Sequence, residues 1–101
     1  AQGTVVRTLN VPSQPEGCVV DDRTQTLYVG EEDHAIWAFD ARENGSTEGQ
    51  IFAEVDGKHL IDDIEGLTLY QTKEQNLLIA SSQGNNTYAV FDLNDQGKFN
   101  L

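Results

Sequence analysis

Carboxylates gather in this sequence where apolar runs begin and end. Asp63 and Glu65 stand two positions apart in Asp62-Asp63-Ile64-Glu65-Gly66, and on an extended chain that spacing puts both on one face, roughly 6–7 Å apart along the strand. Glu16 precedes Gly17 as Glu65 precedes Gly66. Glu31, Glu32 and Asp33 follow Gly30, and since adjacent strand residues point to opposite faces, at most one of Glu31 and Glu32 turns inward. Gln83 and Asn85 add amide oxygens in Ser81-Ser82-Gln83-Gly84-Asn85. Acids brought this close repel one another, and a bound cation removes the penalty. An all-oxygen set suits a hard ion such as calcium, which takes about 6–8 oxygens. Zinc does not fit, because His34 and His59 lack ligand spacing and Cys18 is the single cysteine. No Ser-His-Asp arrangement or phosphate-cradling glycine loop is present.

The elements that must position these acids come in two copies. Residues 16–40 and 65–92 share an order: Glu-Gly, an apolar run, a turn, a second apolar run, a polar corner, and an aromatic run closing in Phe-Asp. Leu27-Tyr28-Val29-Gly30 aligns with Leu77-Leu78-Ile79-Ala80, and the offset grows from 49 positions at Glu-Gly to 52 at Phe-Asp. A repeat of about 40–50 residues made of short strands is the signature of a β-propeller blade. The fold class is therefore all-β: about two blades, each a four-stranded antiparallel sheet. An outer strand is expected at 4–9, one blade at about 16–55, and a second at about 64–101 that is cut short. Strands are expected at 17–21, 26–31, 35–40, 50–55, 64–70, 76–81 and 87–92, with no helix. Gly66 and Gly84 read as turn or close-approach glycines. Trp37, Phe39, Tyr88 and Phe91 read as packing between blades, and Cys18 as a buried free thiol.

Seventeen acidic residues against six basic ones give a net charge of −11 in 101 residues. Nucleic acid is excluded as a partner, because neutralising phosphates needs clustered Lys and Arg. No apolar stretch approaches the roughly 20 residues that span a bilayer, so no membrane partner is expected. Two blades do not close a ring, which takes about 4–8, and their open apolar flanks should favour self-association.

Five motifs in order, Ser13-Gln14-Pro15-Glu16-Gly17, Leu27-Tyr28-Val29-Gly30-Glu31-Glu32-Asp33-His34-Ala35-Ile36-Trp37, Asp56-Gly57-Lys58-His59-Leu60, Asp63-Ile64-Glu65-Gly66-Leu67 and Ala80-Ser81-Ser82-Gln83-Gly84-Asn85, closely resemble the bacterial β-propeller phytases. The resemblance covers about residues 13–92. It implies a six-bladed propeller, secreted or periplasmic, that releases phosphate from phytate with calcium as cofactor. It further implies that Glu16, Glu32, Asp63 and Glu65 are calcium-site acids with Gln83 a further oxygen ligand, that Glu32, Asp63 and Glu65 serve catalysis, and that Glu32 rather than Glu31 faces the site. Metal-assisted attack of water on a phosphomonoester is the implied reaction. The family also uses Lys and Arg for substrate phosphates, and of the six basic residues here only Arg7 and Lys58 lie near strand segments, neither in a matched phosphate-binding motif, so the piece alone is expected to be inactive. The alternatives are a non-catalytic calcium-binding propeller module and another calcium propeller hydrolase of the lactonase-like kind.

Overall fold

The computed structural model describes residues 3–57, 60–95 and 98–99. Its strands are β1 (Pro15–Asp21), β2 (Thr26–Glu31), β3 (Ala35–Asp40), β4 (Gln50–Glu54), β5 (Ile64–Gln71), β6 (Asn76–Ser82), β7 (Thr87–Asp92) and β8 (Lys98–Phe99), with one 3₁₀ turn at Leu93–Asp95. They form two antiparallel meanders, β1-β2-β3-β4 and β5-β6-β7-β8. This is the all-β arrangement of two successive blades. Short β-branched and aromatic runs separated by polar turns leave little else open to the chain.

The two sheets pack face to face, with β1 beside β5. The core between them holds Tyr28, Ile36, Leu60, Ile64, Leu78, Ala80, Ala89 and Phe91, all buried, with Phe52 and Leu69 against them. Phe52 bridges the sheets through edge-to-face contacts with Tyr28 at 5.2 Å and Phe91 at 5.3 Å. Of the four aromatics expected between blades, Phe91 lies in this seam. Trp37 and Phe39 stack on one another at 6.4 Å outside it, and Tyr88 is 72% exposed.

Three expectations need correction. Residues 4–9 form no strand; the segment finds no neighbouring strand among the described residues. Instead Arg7 anchors it, donating to the carbonyls of Asp40 and Ser46 at 2.7 Å each and to that of Arg42. Cys18 is exposed, not buried, because β1 is the end strand of its sheet and Cys18 shares a face with Val20, itself 43% exposed, away from the core. The alignment of the second apolar runs shifts by one: Cys18 pairs with Val29 as Leu67 pairs with Ala80, and Val29 with Trp37 as Ala80 with Ala89. Ladder register therefore sets Val29 against Ala80, and carries Glu31 onto Ser82 and Glu32 onto Gln83. Side-chain similarity alone had favoured Gly30 against Ala80.

At the end of the seam reached by Asp21, a polar clasp ties the sheets together. The Asp21 carboxylate is fully buried and accepts hydrogen bonds from Gln71 Nε2 at 2.9 Å, Asn76 Nδ2 at 3.1 Å and the Arg23 backbone N–H at 2.9 Å. Burial works against its charge, but the Asn76 and Gln71 amides and the Arg23 N–H outweigh it and hold the carboxyl below its ordinary range.

Candidate metal centre

Both Glu-Gly steps sit on β-bulges. The β1–β2 register slips between Pro15 and Cys18, and the β5–β6 register between Ile64 and Gly66, so the first strand of each sheet carries one extra residue at its Glu-Gly step. A bulge re-aims side chains and ends regular pairing. It thereby frees Glu16 and Glu65 from strict alternation. The first bulge depends on Gly17, whose φ is +73° and whose missing Cβ would stand 2.7 Å from the Glu65 carbonyl oxygen. The two glutamates are brought together because a backbone with no side chain lies between them.

Asp63 occupies the left-handed region, with φ +62°, a conformation that a side chain makes costly. Backbone bonds fix the corner around it. Ile64 N–H donates to the Glu32 carbonyl at 2.9 Å across the seam, Glu32 N–H to the Gln14 carbonyl at 3.0 Å, and Gln83 N–H to the Asp63 carbonyl at 3.0 Å. The last two bonds are the same link in the two copies, as the corrected register requires. Each blade thus brings a matching trio to this corner, Gln14, Glu16 and Glu32 from one, Asp63, Glu65 and Gln83 from the other. Gln14 is the member that the sequence reading passed over; its signal is its place two residues before Glu16, as Asp63 stands two before Glu65.

Charge couples the acids. Burial, then the charges of Asp33, Asp63, Glu16 and Glu65, push the Glu32 carboxyl up. Burial, then Glu16 and Asp63, push up that of Glu65. Glu31 behaves in the opposite way: it is 3% exposed and accepts from Ser13 Oγ at 2.5 Å and Trp37 Nε1 at 3.0 Å. Burial opposes its charge, but those two bonds and the nearby His34 hold its carboxyl low. Glu31 is turned into the protein and Glu32 toward the other acids.

Gln83 and Asn85 are exposed beside this corner, and Asn85 Oδ1 accepts from Thr87 Oγ1 at 2.5 Å. Gly84 is a close-approach glycine, since a Cβ there would meet Asp62 Oδ1 at 2.6 Å. His59 and Lys58 lie outside the described residues. Among the described residues no three Asp, Glu, His or Cys side chains converge closely enough to hold one ion. What does fit a hard cation is the donor chemistry: all oxygen, net negative, mutually repelling, and without a described ion pair. The described ion pair is Arg42–Asp40 at 2.7 Å, at the Asp21 end of the sheet, where Thr26 pairs with Asp40.

A family model described as Phytase matches residues 1–101. A curated 3-phytase from Bacillus subtilis (strain 168) is 44% identical over 98 residues, 96% of this chain and 26% of that protein. The chain spans about a quarter of the length of this relative.

Proposed function

Because the chain belongs to the phytase family, we propose that the full-length protein hydrolyses phosphate from phytate with calcium, and that this corner is one wall of its active site. The observation that carries the proposal is that two repeats, pinned together by the Ile64–Glu32 backbone bond and bulged at their glutamates, bring Glu16, Glu32, Asp63 and Glu65 to one corner, where burial and the neighbouring acids raise the Glu32 and Glu65 carboxyls. Glu16, Glu32, Asp63 and Glu65 would hold calcium, with Gln83 as a further oxygen donor. When bound, calcium supplies the positive charge that lets an acidic wall meet a polyanion and orients water for attack on phosphorus. The chain's own residues do three things. The bulges free Glu16 and Glu65 from strict alternation; the Ile64–Glu32 bond ties the blades together at this corner; the left-handed turn at Asp63 places that residue at the same corner.

In this reading the two sheets are two blades of six. The 101-residue piece alone is inactive, since substrate phosphates need cationic side chains from elsewhere in the ring. A location outside the cytoplasm, secreted or periplasmic, suits a site that depends on calcium at extracellular levels. The test is phosphate release from phytate by the full-length protein. Release with calcium and its loss in chelator are expected. Equal release in both, or lactone turnover in place of phosphate release, would overturn the proposal.

A further inference from the structure

Resting on the calcium-site reading above, we propose that Glu31 is a positioning residue, whose buried carboxylate staples the segment leading into Glu16 to the corner that presents Glu32. Its two oxygens are used on different elements. Oε2 accepts from Ser13 Oγ at 2.5 Å, three residues before Glu16, and Oε1 accepts from Trp37 Nε1 at 3.0 Å on β3. The backbone repeats the connection: Glu31 pairs with Pro15, Glu32 N–H donates to the Gln14 carbonyl, and His34 N–H donates to the Glu31 carbonyl at 3.0 Å. The side chain therefore fixes where the lead-in and the corner lie relative to β3, and with them the separation of Glu16 and Glu32.

The second copy makes the same connection with different chemistry. Ser82 is Glu31's counterpart by register, is buried, and its Oγ donates to the Ile61 carbonyl at 2.8 Å, two residues before Asp63. In both blades the last residue of the second strand ties down the lead-in, and the next residue, Glu32 or Gln83, faces the site. A neutral hydroxyl does this in one blade and a carboxylate in the other. The link, not the charge, is what recurs.

Residues that orient metal ligands without touching the metal typically change its affinity by about 10–100-fold. Calcium titration of the full-length protein, by calorimetry well below its melting temperature, tests the assignment. Glu31→Ala is expected to weaken calcium binding within that range. Glu31→Gln is expected to restore most of it, since its amide oxygen can accept from Trp37 and its NH₂ can donate to the Ser13 hydroxyl. Unchanged affinity in Glu31→Ala, or Glu31→Gln as impaired as Glu31→Ala, would overturn the proposal. Should Glu31→Ala not fold, Ser13→Ala and Trp37→Phe each remove one of the two bonds, and calcium affinity like wild type in both would overturn it equally. A wild-type protein that binds no calcium would instead overturn the site reading on which this rests.

Discussion

At the scale of single residues, the raised carboxyls of Glu32 and Glu65 are a stability statement as well as a functional one. A carboxyl whose folded pKa lies above its ordinary value favours folding below that value, and the contribution is lost as pH rises through the raised one. Without calcium, the protein should therefore melt at a higher temperature as pH falls from neutral toward 4.5, the ordinary glutamate value. Glu65→Gln should raise the melting temperature in chelator at neutral pH, flatten this pH dependence, and weaken calcium binding. A variant that lowers the melting temperature in chelator would show that the acids do not repel. The repeat made Glu16 and Glu65 readable in the sequence, because equivalence singles out two acids among seventeen. Alternation could not tell Glu31 from Glu32, since the partners that decide between them, Ser13 and Trp37, come together only once the sheet has its register. Gln14 was missed for a related reason: an amide two residues before a bulge has no signature until the ladders align it with Asp63.

At the scale of elements, the glycine bulge on β1 is the critical piece. Gly17→Ala would place a Cβ at 2.7 Å from the Glu65 carbonyl in a left-handed conformation, and the conformation alone costs about 1–2 kcal/mol. We expect a lower melting temperature and weaker calcium binding together; a normal melt would mean that the close approach of β1 and β5 is dispensable. The opposite end of the seam answers to pH with the opposite sign. Because Asp21 is held below its ordinary value of 3.8, its contribution is present above that value and is lost as pH falls through the lowered one. Asp21→Asn can keep an oxygen toward Gln71 and the Arg23 N–H, but it then sets its NH₂ against the Asn76 donor and should cost about 1–3 kcal/mol, shifting the acid-unfolding midpoint upward. Strand positions were legible because periodicity and turn residues mark them locally. The lack of a strand at 4–9 and the exposure of Cys18 were not, since both depend on which strand, if any, lies alongside. Apolar character says what a residue could bury, not what is there to bury it.

For the molecule as a whole, each sheet buries one face in the seam and leaves the other open. Val20 and Ile51 on the first sheet and Tyr70 and Tyr88 on the second are 43–72% exposed. We expect the isolated 101-residue chain to associate through these faces at micromolar concentration; a monodisperse 11.1 kDa species in light scattering would contradict this. The same openness separates the fold, which two blades specify, from catalysis, which under the proposed function needs groups beyond them. Under the proposed function, acids from two successive blades hold one calcium-dependent phosphate site. Its most direct test is phytate hydrolysis by the full-length protein across a calcium titration, wild type beside Glu65→Gln. Wild-type phosphate release should saturate with calcium, and the variant should need much more calcium or release none. Release by the variant at wild-type rate and calcium dependence would contradict it.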